Sequence, residues 1–326
     1  MSYSVTINLK YSLHSEKQMS EEHVLKGSDN PVIDLSLDTI KKEKQALVFV
    51  NTKRSSEKVA EDIAKKITST TKEFAALSEK ALHSLPKPTK QCLRLSQCLK
   101  KGIAFHHAGL TMDQKNLVED NFREGVISII CCTPTLAAGM DLPAYRSIVR
   151  DLKRYGPRGL SFISTLEIEQ MFGRAGRPKF DTEGQAICIV GSEKEKEEVL
   201  ARYIHGTPEP IQSKLASEPA LRIYLLSLIS SGLVASKKEI VEFFMQTFYA
   251  FQYDDQVELV MKIESVLDQL IDWEYLVSSK EEFVDADEIE EEEFKATAIG
   301  KRIAELYIDP YSAHLMQESL QKAESR

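Results

Sequence analysis

The sequence predicts an α/β protein: a doubly wound parallel sheet followed by a smaller, mostly helical domain. Between Ala46 and Val190, short β-branched apolar runs alternate with amphipathic helical stretches. Strands covered on both faces by crossover helices have this pattern. After Gly191 the texture changes, with Pro208 and Pro210 marking a linker and three helical stretches beyond it. A chain of 326 residues, 42% of them hydrophobic, is long and apolar enough for two domain cores.

Each element has its own signal. Ala46–Val50 (ALVFV) reads as a buried strand, and Ser55–Ile67 as a helix with Val59, Ile63 and Ile67 on one face. Residues 68–101 are helical, interrupted at Pro86 and Pro88, and Ile103–His106 is a short strand. Thr111 and Gln114 form a capping box that opens a helix through Phe122. Val126–Cys132 and Ala186–Val190 complete the apolar runs, and Glu193–Ile204 is a charged helix. Beyond the linker, helices are expected near 219–231, 237–248 and 255–271, then a strand at 273–277 and an acidic loop. Three helices followed by a β-ribbon suggest a winged-helix domain. Residues 1–35 have weak patterning.

Composition narrows the function classes. No apolar stretch approaches membrane-spanning length, and no basic region followed by an apolar one opens the chain. The five cysteines include no C-x-x-C pair, which disfavours a zinc site or disulfide framework and fits a reducing, cytoplasmic setting. The net charge of −8 conceals unevenness. Residues 281–293 are acidic with no basic residue, whereas Arg146, Arg150, Lys153, Arg154 and Arg158 cluster with only Asp151 opposing them. A local basic track for nucleic acid is therefore compatible with the overall sign.

Four segments carry chemistry, each after a predicted strand, the usual ligand edge of an open α/β sheet. In Gln170-Met-Phe-Gly-Arg-Ala-Gly-Arg177, Arg174 and Arg177 lie three residues apart on one helical face and can converge on a polyanion; Gly173 allows close approach. Ser164 and Glu167 are expected to box the start of this helix, which should end near Pro178. In Phe105–Leu110, Gly109 precedes a helix N-terminus whose amides suit a phosphate. In Thr133–Leu142, Thr133 and Thr135 offer hydroxyls to backbone phosphates, Gly139 permits approach and Asp141 can accept from a ribose hydroxyl. Residues 146–165 read as a hairpin with strands at 147–152 and 160–164, and a tip where Tyr155 stands beside Arg154 and Arg158.

The ordered set ALVFVNTKRS (46–55), FHHAGL (105–110), TPTLAAGMDLP (133–143) and QMFGRAGRP (170–178) resembles the second RecA-like lobe of superfamily 2 helicases. The Ski-like group is nearest, in particular its archaeal fork-repair DNA helicases. The likeness is strong over about 46–190. It is weaker to 310, where ATAIGKRIAELYIDP (296–310) is similar to the end of that family's winged helix. The resemblance implies ATP-driven 3′-to-5′ unwinding by a monomer, with ATP and Mg²⁺ held mainly by a first lobe. Arg174 and Arg177 would contact the ATP phosphates and Gln170 would lie near the γ-phosphate, with Gly139 and Asp141 on the nucleotide side. Thr133 and Gly109 would face the nucleic-acid backbone, and the hairpin would match the family's strand-separating pin. It also implies an inter-lobe lead-in at 1–45, the lobe at 46–204, the winged helix at 205–310 and the start of a further helical domain at 311–326.

No G-x-x-x-x-G-K-[ST] occurs in the chain, and Gly300-Lys301 lacks the residues around it that such a loop needs. Asp287-Glu288-Ile289-Glu290 sits in the acidic run without a strand to present it to magnesium. The phosphate cradle and magnesium carboxylates of ATP hydrolysis are thus expected in another lobe. Two other readings stand beside this one: a Ski-like helicase acting on RNA, and a non-enzymatic module binding nucleic acid or protein.

Overall fold

The computed structural model describes residues 5–12, 15–20, 30–139, 142–156, 159–176, 181, 183–253, 256–279 and 292–324. The chain divides into two compact units, Met1–Glu209 and Pro210–Arg326.

The first unit opens with β1 (Val5–Ser12), β2 (Ser15–Ser20) and α1 (Pro31–Lys41), followed by β3 (Ala46–Phe49) and α2 (Lys53–Ala64). Next come α3 (Lys72–Leu82), α4 (Lys90–Leu99), β4 (Ile103–His106), α5 (Met112–Arg123) and β5 (Ile129–Cys132). The rest of the unit is α6 (Thr135–Gly139), β6 (Arg146–Val149), β7 (Lys153–Gly156), β8 (Gly159–Phe162), α7 (Thr165–Phe172), β9 (Glu183–Val190) and α8 (Glu193–Val199). A π-helical turn, Leu200–Ile204, continues α8.

Seven strands form one sheet in the order β2-β1-β9-β6-β3-β5-β4. β9, β6, β3, β5 and β4 run parallel, with Ala46 level with both Ile129 and Arg146. Each of the four-residue strands β3, β4, β5 and β6 is buried along its whole length. That explains why β3 and β5 read as continuous apolar runs without alternation, whereas β6, which opens with Arg146 and Ser147, reads from sequence as part of the hairpin instead. The connection from β5 to β6 spans β3, so helices cover both faces. The Thr111–Gln114 capping box forms as the sequence predicts, with both reciprocal bonds in place.

The amino-terminal segment departs from the expected lead-in. β1 pairs antiparallel with β9 from Val5↔Val190 to Ser12↔Glu183, and β2 extends the edge beyond it. α1, started by an Asn30 cap and Pro31, buries Val32, Ile33 and Leu35 in the sheet core. Its carboxy-terminal half also receives Arg146, whose side chain is fully buried. That guanidinium donates to the Leu35 carbonyl, the Thr39 hydroxyl, the Asp38 carboxylate and, through two nitrogens, the Gln185 side-chain oxygen at 2.6–3.0 Å. Periodicity misses β1 and β2 because their stability comes from the ladder to β9, a long-range partner.

The second unit comprises α9 (Glu218–Ser230), α10 (Lys237–Met245), α11 (Phe248–Gln252), α12 (Gln256–Asp272), β10 (Leu276–Ser278), β11 (Phe294–Ala296), α13 (Ala298–Glu305) and α14 (Pro310–Glu324). β10 and β11 pair antiparallel, and a bridge between Ser236 and Glu293 adds the start of α10 as a third rung. Three long helices, α9, α10 and α12, with the five-residue α11 set after α10 and a three-part ribbon beyond, match the winged helix expected from the pattern. Its separate core gathers Leu221, Leu225, Ile240, Phe244, Ile263 and Tyr275 among others. α14 docks on this core through Ala313 and through Gln317, which accepts a hydrogen bond from the Tyr275 hydroxyl at 2.5 Å. The acidic loop, with Asp287–Glu290, lies outside the described residues.

Candidate nucleotide and nucleic-acid site

The loops that leave β3, β4, β5 and β6 at their carboxyl ends share one edge of the parallel sheet, with Gly109 in the loop after β4 and Thr133 in the loop after β5. The glutamine–arginine segment is bent where a continuous helix was expected. α7 begins at its Ser164 cap, which accepts from the Glu167 amide, and closes on Gly173. Arg174–Gly176 leave the helix to pair with the chain beside Ala144. The Ala144 amide donates to the Arg174 carbonyl at 2.9 Å, and the Gly176 amide to the Ala144 carbonyl at 2.6 Å. Gly176 adopts φ +94°, a conformation that ends any helical run and favours glycine. The helix therefore stops at Phe172, well before Pro178, and Arg174 is presented from a strand-like turn; Arg177 lies outside the described residues.

This turn brings two distant segments together. Nε and Nη2 of Arg174 donate to the Ala137 carbonyl of α6 at 3.1 and 2.6 Å. The segment Thr133–Leu142 and the segment Gln170–Gly176 thus form one assembly, with Gly139 ending α6, and Gln170 and Gly173 exposed on the α7 side. Asp141 lies outside the described residues. Ser147 on β6 anchors the assembly by donating to the Met171 carbonyl at 2.7 Å. Gly184 on β9, which sequence reasoning passed over, makes room for it. A Cβ there would stand 2.4 Å from the Gly176 nitrogen. Gly184→Ala is expected to cost the first unit about 3 kcal/mol in urea unfolding, because backbone meets backbone and no side chain can yield.

On the neighbouring strands, Thr133 and Thr135 share a hydroxyl hydrogen bond at 2.9 Å, and the Thr133 amide donates to the His106 carbonyl. Thr135 also borders a cleft of about 360 Å³ lined by His106, Ala108, Lys115, Asn116 and Glu119. Gly109 differs from expectation. Its amide donates to Nδ1 of His107 at 3.1 Å, so this donor is already used inside the loop. His107 in turn meets Glu57 through Nε2, and Glu57 and Glu61 on α2 both hold Arg94 of α4. The only sequence signal for this network was the four-residue spacing of Glu57 and Glu61 on one helix face.

His106 meets Glu119 at 2.8 Å, and burial lowers the affinity of both imidazoles for a proton despite their glutamate partners. Lowered folded-state values mean that the unfolded chain binds more protons below about 6.5, the ordinary imidazole value. Stability should be complete above that pH and fall as pH drops through it. Chemical denaturation between pH 7.5 and 5.5 should show this loss, and His107→Gln should reduce its slope.

The basic cluster expected at 146–158 is not an open track. Arg146 is structural, and Arg150 holds Asp151 through two nitrogens and Ser55 through one. Lys153 pairs with Glu195 at 3.0 Å, and Arg154 with Glu167 at 2.7 Å. Arg158 lies outside the described residues. The hairpin is also displaced along the chain: residues 146–149 belong to the main sheet, and the hairpin is β7 with β8, in register from Lys153↔Phe162 to Gly156↔Gly159. Next to the outermost described pair, Gly156↔Gly159, an apolar pair stands in the open: Tyr155 opposite Leu160, 84% and 56% exposed.

Among the described residues no group of three His, Cys, Asp or Glu side chains is placed to hold a metal ion, and no helix is long and apolar enough to cross a membrane.

Two family models match the chain: a helicase conserved C-terminal domain over residues 67–179, and a helix-turn-helix domain over 184–277. The second match begins in β9, ahead of the division at Glu209. Among curated relatives, the ATP-dependent DNA helicase Hel308 of Pyrococcus horikoshii is 42% identical over 89% of this chain and 39% of its own length. That of Methanocella arvoryzae is 40% identical over 90% and 39%, and that of Methanococcus vannielii 34% identical over 98% and 46%. The chain therefore spans 39–46% of the length of these relatives.

Proposed function

Taking the chain as the carboxy-terminal part of a Ski-like superfamily 2 helicase, which its two domain models and its relatives fit, we propose that it is the second motor lobe and winged helix of an ATP-dependent DNA helicase. The observation that carries this reading is the tie between Arg174 and the Ala137 carbonyl, which unites two nucleotide-side segments at the ligand edge of the sheet. DNA is favoured over RNA by the relatives, which are DNA helicases by name. Movement 3′-to-5′ on forked DNA in repair is the finer form of the proposal, and it rests on the resemblance.

ATP hydrolysis would supply the free energy for movement, with ATP and Mg²⁺ held mainly by a first lobe. This chain's part is electrostatic. A guanidinium is planar and always charged, so Arg174, with Arg177 beside it in sequence, would stabilise charge developing on the phosphates. Gln170, Gly173, Gly139 and Asp141 would line the nucleotide side. Thr133 and Thr135, next to the His106 cleft, would meet the strand backbone through their hydroxyls, as phosphate contacts do without reading sequence. Arg154, turned onto Glu167, is left out of that contact set.

The hairpin would separate strands. Opening a base pair costs a few kcal/mol of stacking and pairing, and an exposed Tyr155–Leu160 pair offers an apolar face to the unstacked base. In the enzyme completed with its first lobe, Tyr155→Ala with Leu160→Ala is expected to keep single-strand-stimulated ATPase within twofold. Fork unwinding should drop by more than about tenfold, the effect of losing a stacked base contact. Undiminished unwinding would remove the pin from the proposal, and parallel loss of both activities would give the hairpin a folding role.

A further inference from the structure

We propose that Arg154 and Glu167 are positioning residues that lock the hairpin to α7, so that movement of the nucleotide-side helix is delivered to the Tyr155–Leu160 tip. The inference rests on the helicase reading above and deepens it.

A two-stranded ribbon of four residues a side is marginal alone, and it can push on a duplex only if something stiff holds it. β7 and β8 form their own sheet, separate from the main one. What holds them is a set of side-chain ties at the base. Arg154 reaches across to Glu167 in the first turn of α7 at 2.7 Å. Its neighbour Lys153 reaches the other way, to Glu195 in the first turn of α8 at 3.0 Å, and that carboxylate also accepts the Gly191 amide. The Lys153 carbonyl accepts from the Asn51 side chain at the end of β3, at 2.5 Å.

The opposite strand is clamped by aromatic contacts. The ring of Phe162 carries the Lys153 ammonium at 4.3 Å and the Arg202 guanidinium at 4.9 Å, with the Tyr203 ring edge-on at 6.3 Å. The buried Tyr203 hydroxyl donates to the Ile163 carbonyl at 2.7 Å.

These ties are unequal in what they connect. Lys153, Asn51 and Phe162 fasten the hairpin to the sheet, α8 and the π-turn, none of which carries a nucleotide-side residue. Arg154–Glu167 is the one of these side-chain ties that ends directly on α7, which also follows β8 through Ile163 and Ser164 and whose other end bears Gln170 and leads through Gly173 into Arg174. One helix of eight residues thus has the hairpin at its amino end and the arginine turn at its carboxyl end. The amino end is also fixed by Glu209, which accepts the Thr165 and Leu166 amides. A rigid element gripped at both ends transmits displacement, whereas a freely hinged pin would yield to the duplex.

Arg154 is accordingly occupied by a carboxylate and acts through the hairpin's position. An exposed ion pair contributes little to folding, so the expected effect lies in coupling. In the completed enzyme, Glu167→Gln should leave single-strand-stimulated ATPase within twofold and thermal unfolding almost unmoved. Base pairs opened per ATP hydrolysed should fall about fivefold, the factor set by an ion pair at the upper end of its usual range. The reversed pair, Arg154→Glu with Glu167→Arg, should restore most of the wild-type ratio.

Two results would overturn the inference. One is an unchanged ratio in Glu167→Gln. The other is a reversed pair that unwinds no better than Arg154→Glu alone while losing strand affinity, since that would make Arg154 a phosphate contact. Absence of strand-stimulated ATPase from the wild-type enzyme would instead sink the helicase reading itself, so the two failures are distinguishable.

Discussion

Under the proposed role, Arg174→Ala is expected to lower nucleic-acid-stimulated ATP turnover of the lobe-complemented enzyme by about 10³-fold, the scale on which a phosphate-directed arginine acts in nucleotide hydrolases. The side chain is half-buried and held on the Ala137 carbonyl by two nitrogens, so its head is already fixed. Pre-organisation of this kind lets the charge act without being ordered during the reaction. Arg174→Lys keeps the charge but loses the planar fork, so it should recover no more than about a tenth of the activity. The folding of the chain itself should change by only about 1 kcal/mol, the typical net worth of a hydrogen bond that water can replace. Steady-state turnover and urea unfolding on the same preparations separate the two effects.

Arg146→Ala is the largest expected change in stability. Five hydrogen bonds to Leu35, Asp38, Thr39 and Gln185 meet on a guanidinium that has no exposed surface. Truncation leaves a cavity and removes the donors used by the Leu35 carbonyl and the Gln185 side-chain oxygen, while Asp38, partly exposed, keeps Lys42 at 3.0 Å. Truncating a large buried side chain and leaving its buried acceptors without their donor costs about 3–5 kcal/mol, and urea unfolding of the first unit should shift by that amount. Arg146→Met, which fills much of the volume, should recover the cavity share and leave the polar share. Because Arg146 joins α1 to β6 and β9, loss of protection from hydrogen exchange should appear first in residues 31–41.

Much of the sheet was legible because parallel strands buried on both faces must be apolar throughout, and four such runs occur in the sequence. The helix starts were equally legible: the Thr111–Gln114 box and the Ser164 cap are local chemistry, complete within four residues. What escaped was long-range. β1 and β2 have no pattern of their own, and their place depends on the ladder to β9. The hairpin was offset by one strand because Arg146–Val149 satisfies the main sheet, which leaves Lys153–Phe162 to form the ribbon.

The site followed the same division. Segment order and residue types singled out the turns after the strands, and the structure places Gly109 and Thr133 at the carboxyl ends of β4 and β5. Charge was misleading, because a run of arginines does not show which of them has a carboxylate waiting. Asp38, Glu167 and Glu195 lie far from the 146–154 cluster in sequence or on other elements, and only the fold brings them to Arg146, Arg154 and Lys153. The helix expected to end near Pro178 stops early, at Phe172, for a comparable reason. The Ala144 backbone captures Arg174–Gly176 and Gly184 admits the turn, and neither is visible from the local sequence.

The most direct test of the central claim, that this chain supplies one half of an ATP site whose other half lies in a separate lobe, is ATP turnover on single-stranded DNA before and after a Walker-bearing first lobe is added. The account predicts no turnover from these 326 residues, and strand-stimulated turnover once the first lobe is present. Strand-stimulated hydrolysis by these residues alone, or a first lobe that turns over equally well without them, would contradict it.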